Sequence, residues 1–484
     1  MLNNYTKTYI NQMARRTKTD ITEIHLRVLE FAFNYYEKNK VGPLYKNIER
    51  YTGVTKQDIN DLFPHGLSSV YTWIGIPIHS VSDTCKPVAD IDVDKYREVY
   101  FDHNGTTYLR NEIKQYLKKY IKGDYGHGNP SSSTFLGKSA FEKITMARSE
   151  IASSLSVKLN EITFTASGSE ANNLGVKGVA FKFHETKGHI ITTNIEHSSI
   201  LESVQFLGML GYEVTFLDVD KNGLITVEAV RKALRSNTIL VAIMAVNNEI
   251  GIINPIKEIG ELCKLAEVPL MVDATQAYGK IDLKPKKMGI SLMSFTGHKI
   301  YAPKGIGALY IDEMYSVIPL IHGGGQEFNR RSGTENVGHI IAFGKAAVLA
   351  HKEMKSEYQR ITKLRNYFSE QLKEKVPGHI INGSINNRVP HNLSVGFPGI
   401  DSGTLLISLN KIGIYVSSGS SCSAGSKEAS PIIKALGVDT DYYGTIRFSF
   451  GLKTTKKDIN YLFKYLPEII EQITDEPQNL SKEK

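Results

Sequence analysis

Cysteine is scarce in this chain: 484 residues hold three, Cys85, Cys263 and Cys422. An odd, sparse set argues against a disulfide framework and for a reducing compartment. Long apolar runs are also missing. No stretch reaches the ~18 apolar residues of a membrane-spanning helix. Met1 to Asp20 is polar and lacks the apolar core of a secretory signal, so the cytoplasm is the expected location. Charge of one sign is not blocked either. The 58 basic and 50 acidic residues are scattered, for a net charge of +8, which reads as a solvated surface rather than a nucleic-acid face. Internal repeats and low-complexity tracts are absent, and no metal site is expected.

What is present is enough chain for about two to four domains. A hydrophobic content of 41% suits a globular protein with sizeable cores. Residues 1–85 read as a small helical unit. Ile21, Ile24, Val28, Phe31 and Tyr35 recur at helical spacing, Asp20 with Glu23 resembles a capping box, and Thr55 with Asp58 forms a second one. Residues 86–98 carry no period and read as a linker. Beyond them, short β-branched runs alternate with helical patterns: Ile162–Thr165, His189–Thr192, Glu213–Phe216, Ile239–Met244 and Pro269–Val272. The expectation is an α/β fold with a mostly parallel sheet, in which ligands sit beyond the C-terminal strand ends. Its large domain spans 99–355, with a first segment that can pack on the smaller domain. A smaller α+β domain spans 356–470, and 471–484 is a polar tail.

Cys422 lies in Ser417-Ser418-Gly419-Ser420-Ser421-Cys422-Ser423-Ala424-Gly425-Ser426. Such a composition makes a polar loop, and a thiol there is exposed and points to sulfur chemistry. Cys263 sits in a helical pattern with Ile256, Ile259 and Ala266 and reads as core. Four other groups fall at strand ends. Asp273, in Val272-Asp273-Ala274-Thr275-Gln276, can cap a turn or hold the ring nitrogen of pyridoxal phosphate. Lys299, in Gly297-His298-Lys299, is a candidate covalent anchor for such a cofactor. Ser167-Gly168-Ser169 opens a helix and can bind phosphate or simply cap it. His197, in Glu196-His197-Ser198, can be structural or stack on a planar ring.

In this order the motifs resemble one family. From about Tyr100 to about Leu466 the chain is similar to the pyridoxal-phosphate cysteine desulfurases of NifS/IscS type. The matching segments are Phe101-Asp102-His103-Asn104-Gly105-Thr106-Thr107, Gly128-Asn129-Pro130-Ser131-Ser132, Asn247-Asn248-Glu249-Ile250-Gly251, Arg331-Ser332-Gly333-Thr334 and Ile446-Arg447-Phe448-Ser449, besides those above. Gly105 stands where the family usually has Ala, and Ser169 where Thr is common. The resemblance implies the aspartate-aminotransferase type of fold and pyridoxal 5'-phosphate held by Lys299. It implies Asp273 on the ring nitrogen, Gln276 on the ring hydroxyl and His197 stacked on the ring and shuttling protons. Ser169, Thr296 and His298 would bind the phosphate, with Thr334 reaching the phosphate of the other subunit of a homodimer. Asn248 and Arg447 would hold the carboxylate of L-cysteine, and Cys422 would accept its sulfur as a persulfide. Sulfur would then pass to acceptors in iron–sulfur cluster assembly or tRNA thiolation, such as a scaffold protein or a thiolation carrier.

Residues from about 20 to 85 resemble the DsrC/TusE sulfur carriers. The match rests on Ile21 to Glu37, Gly42-Pro43, Leu62-Phe63-Pro64-His65-Gly66 and Gly75-Ile76-Pro77, followed by Cys85, a candidate sulfur relay. Other readings stay open at this point: a selenocysteine lyase, an aminotransferase, or a transcription regulator that couples a DNA-binding unit to a pyridoxal-phosphate domain. Residues 1–85 hold ten basic and eight acidic residues and no basic recognition helix, which counts against DNA.

Overall fold

A computed structural model gives the architecture; it describes residues 10, 14, 19–39, 43, 45–63, 66–74, 96–123, 127–419 and 430–475. The described residues of 1–95 form one compact unit and those from Tyr96 onward another. Cys85, Cys422 and most of the expected linker lie outside the described residues. No described helix is long and apolar enough to cross a membrane.

Four helices of the first unit are bounded among the described residues: α1 (Glu23–Asn39), α2 (Tyr45–Thr52), α3 (Lys56–Leu62) and α4 (Leu67–Trp73). Thr55 and Asp58 do form a capping box at α3. The cap of α1 differs from the Asp20–Glu23 expectation. Thr22 precedes the helix and its hydroxyl lies 2.8 Å from His25 Nδ1, so the box is shifted by two residues. The buried face of α1 is His25, Val28, Leu29 and Ala32, while Ile24 is 40% exposed. His25 also reaches Leu62 O from Nε2 at 2.9 Å, a polar contact that apolar periodicity does not report.

The second unit is built on a seven-stranded sheet of order β2-β8-β7-β6-β5-β3-β4. Its strands are β2 (Ile162–Thr165), β3 (His189–Thr193), β4 (Glu213–Leu217), β5 (Thr238–Met244), β6 (Leu270–Asp273), β7 (Leu292–Thr296) and β8 (Gly307–Ile311). Only β8 runs antiparallel to its neighbours. Strands β2, β3, β5, β6, β7 and β8 are buried along their whole length, which is why they read as apolar runs without alternation. Helices α5 (Phe135–Leu155), α6 (Gly168–Ala180), α7 (Ser198–Met209) and α8 (Ile256–Leu265) cover the two faces, each with its own apolar core.

A smaller core lies beside this sheet. It is made by the antiparallel strands β9 (Ile380–Ile381), β10 (Asn392–Pro398) and β12 (Tyr443–Ser449), in the order β12-β10-β9. The first strand, β1 (Val99–Tyr100), pairs in parallel with β11 (Ile414–Tyr415), and Phe101 enters the same small core. Helix α9 (Val337–Lys375) has 39 residues, about 58 Å of helix. Its Ile340–Ala347 stretch packs in the large core, and Ile361, Phe368 and Leu372 pack in the small one. One element therefore runs through both cores and ties them together. Helix α10 (Ser402–Lys411) and the last helix, α11 (Lys456–Asp475), close the small core. Helix α11 runs on into the segment expected as a polar tail because Ile473 packs on that core.

Candidate active site

Because every strand of the sheet but β8 points the same way, the C-terminal ends of β2, β3, β5, β6 and β7 lie at one edge. The turns after β2, β3, β5 and β7 carry Ser167–Ser169, His197, Asn247–Asn248 and Lys299, and Asp273 ends β6. Lys299 is buried. Its Nζ donates to the carbonyls of Asn104 and, at 2.6 Å, Gly105. Gln276 Nε2 donates to the same Asn104 carbonyl at 3.0 Å. The Phe101–Thr107 segment thus lies against the lysine, although it belongs to the other end of the motif order.

Asp273 is fixed from two sides. Its Oδ1 accepts from Thr275 N at 2.9 Å and its Oδ2 from Asn172 Nδ2 at 2.8 Å. Asn172 is locked by hydrogen bonds with the Ser294 and Ser199 hydroxyls. Ser199 Oγ lies 2.8 Å from His197 Nδ1, and Ser199 N donates to that nitrogen at 3.1 Å. An Nδ1 that accepts leaves the ring proton on Nε2. Asp273 and half-buried His197 are therefore joined through the buried Asn172 and Ser199 in one network.

Arg447, on β12, brings the small domain to the site. Its Nη2 lies 2.6 Å from Asp102 Oδ1, and its Nη1 donates to Asn248 O at 3.1 Å and Gly419 O at 2.9 Å. Asn248 Oδ1 and Asn104 Oδ1 are buried with no hydrogen-bond partner among the described residues. Both acceptors are open to another molecule, water included.

Burial sets the local charges. Desolvation, followed by Lys299, Lys304 and Lys280, pushes His298 down to about 3, so its ring is neutral; Thr106 Oγ1 lies 3.1 Å from its Nδ1. Desolvation pushes the Glu196 carboxyl up to about 8 against the opposing pull of Met244 N and Thr193, with Asp273 adding to the rise. Burial also raises Glu249, whose carboxylate accepts from Ser430 Oγ at 2.5 Å. Cys263 is buried on α8 and its thiol is pushed up to about 12, which leaves it inert at neutral pH.

The geometry fits pyridoxal phosphate. Helix α6 offers its N-terminus at Ser167-Gly168-Ser169, and a side chain at Gly168 would come within 3.3 Å of Thr275 Oγ1. Bare backbone there leaves room for a phosphate to meet the amide groups. Ser169 is exposed in the first turn, and the Thr296 hydroxyl donates to Ile306 O at 2.8 Å. Thr334 does not join the cluster; it is exposed on a cleft lined by Asn129 and Pro130. Several participants escaped sequence reasoning. Asp102, Asn104 and Asn172 lie inside motifs that give them no role of their own, and Lys280 and His391 belong to no motif. Only a three-dimensional contact singles them out.

Residues 99–462 match the class-V aminotransferase family. The cysteine desulfurase IscS of Dictyoglomus turgidum is 43% identical over 378 residues, 78% of this chain and 95% of that protein. A solved NifS-like protein superposes with a TM-score of 0.73 at 35% identity, over 78% of this chain and all of the other. The structure of SspA in complex with cysteine gives 0.65 at 33% identity, over 72% of this chain and 98% of the other. The chain belongs to the pyridoxal-phosphate-dependent class-V aminotransferases, among the cysteine desulfurases of IscS and NifS type.

Proposed function

We propose that the chain converts L-cysteine to L-alanine and takes the sulfur onto the Cys422 thiol as a persulfide. The observation that carries this reading is the joint placement of Lys299, the Asp273–His197 network and the Arg447–Asn248 clamp on one strand-end edge. When bound, pyridoxal phosphate draws electrons from the substrate carbons and makes the Cα proton labile. Lys299 would hold it, with Asp273 at the ring nitrogen, Gln276 at the ring hydroxyl and His197 against the ring. Ser169, Thr296 and His298 would serve the phosphate, joined by Thr334 from the neighbouring subunit of a homodimer.

The residues divide the remaining work. Arg447 presents a planar fork that suits the substrate carboxylate, and Asn248 supplies a buried amide beside it. The amine of Lys299 moves the proton at Cα. The Cys422 thiolate attacks the substrate sulfur: an S–S bond forms, the Cβ–S bond breaks, and its electron pair stays on carbon, where a proton completes alanine. The enclosed setting of Lys299 keeps competing water chemistry down.

Sulfur would then leave for an acceptor protein, an iron–sulfur scaffold or a thiolation carrier, in the cytoplasm. Residues 1–85 would serve as a carrier-like domain joined through the 86–98 linker, with Cys85 as a relay. Equal yields of alanine and transferable sulfur from L-cysteine test the reading. Preference for selenocysteine, or amino-group transfer to a keto acid, would replace it with another reaction of the same fold.

A further inference from the structure

Gln276 is held on both sides. Its Nε2 donates to Asn104 O, the carbonyl shared with Lys299, and its Oε1 accepts from Lys280 Nζ at 3.1 Å. Lys280 Nζ also lies 3.3 Å from His391 Nε2. Two acceptors therefore face one group. In its ammonium form Lys280 carries three donors and no acceptor, so it satisfies both and dictates which end of the Gln276 amide is oxygen. His391 is buried, and its ring is held neutral by burial, then Lys280, then His103, so its Nε2 is free to accept.

We propose that Lys280 is a positioning residue: it fixes the Gln276 amide so that its NH2 faces the Asn104 carbonyl and the cofactor side, and through that carbonyl it steadies Lys299. The proposal rests on the reading above in which Gln276 meets the cofactor. Lysine is costly to enclose, and burial, then Lys299 and Arg447, push it down to about 7. It lines a cavity that also meets Lys299, Tyr301, Glu353 and His391, yet it forms no ion pair with Glu353, which is taken by Arg110 at 2.7 Å. A surface-type role in charge pairing is therefore absent among the described residues. The geometry is instead that of a donor aimed inward at an amide.

Two variants of the full-length, cofactor-loaded protein test this: Lys280→Met, which keeps the stem and removes the donors, and Lys280→Arg, which keeps several donors and the charge. The readouts are the visible absorption band of the bound cofactor and the separate kcat and KM for cysteine. Lys280→Met should displace the band and lower kcat about tenfold with KM within about twofold, because the group acts on the reacting centre rather than on binding. Lys280→Arg should restore most of both. A Lys280→Met protein with the original band and kcat overturns the proposal. Equal losses in both variants with a lowered unfolding temperature overturn it too, since that is a packing role. If the parent protein binds cofactor but makes no alanine from cysteine, the desulfurase reading fails, and the band alone still decides the part played by Lys280.

Discussion

Arg447 and Asp102 meet as an ion pair at 2.6 Å, with the arginine side chain buried and the aspartate at its edge. The two residues lie 345 positions apart and come from the last strand of the small sheet and the segment just after the first strand. The carboxylate takes the Nη2 side of the fork that a substrate carboxylate would use, so Asp102 would hold Arg447 ready and share it. Asp102→Asn removes the charge and keeps the shape. It should lower the unfolding temperature of the substrate-free protein by several degrees, because a buried guanidinium loses its counter-ion. L-Alanine, which carries the product carboxylate, should recover more of that loss than it adds to the parent. Thermal melts with and without alanine check this; identical melts would place the pair outside substrate binding.

Arg447→Ala removes the clamp itself. A charge-assisted hydrogen bond is worth about 1.5–3 kcal/mol, so KM for cysteine should rise roughly 10- to 150-fold. Steady-state kinetics at saturating cofactor read it directly. Unchanged KM would assign the substrate carboxylate to other residues.

Lys299→Ala should abolish turnover and the visible absorbance of covalently held cofactor together. The carbonyls of Asn104 and Gly105 that now receive its Nζ show how closely the site is fitted around it. Spectroscopy and alanine release measure both effects, and a variant that still cycles cysteine would remove Lys299 from the mechanism.

Glu196 sets a pH dependence of stability. Burial raises its carboxyl from the ordinary 4.5 to about 8 in the folded protein. A raised carboxyl favours folding most when protonated in both states, so its contribution is full below about pH 4.5 and is lost as pH climbs to about 8. Glu196→Gln keeps the shape and stays neutral. It should melt a few degrees above the parent at pH 8.5 and level with it near pH 5. A constant difference across that range would contradict the assignment.

The sequence made the strand-end groups legible because each follows an apolar run and carries residues that a buried cofactor needs. Lys299, His197 and Asn248 follow strands in the structure, and Asp273 is the last residue of one. The Arg447–Asp102 pair and the Lys280–Gln276–His391 cluster were not legible. Their partners are up to 345 residues apart, or meet through a turn with no periodicity. The single reversed strand β8 and the cap at Thr22 were missed for a related reason. Each is decided by one tertiary or local polar contact that apolar patterning does not encode.

The central claim is that sulfur from cysteine lands on Cys422. One turnover with sulfur-labelled L-cysteine, followed by mass mapping of persulfides on Cys85, Cys263 and Cys422, tests it most directly. Label should appear first on Cys422 together with one alanine, never on Cys263, and afterwards on Cys85 if the first 85 residues relay it. Cys422→Ser should still bind cysteine and transfer no sulfur, and Cys85→Ser should stop only the second step. Persulfide formed at the original rate in the Cys422→Ser protein, or found first on another cysteine, would contradict the account.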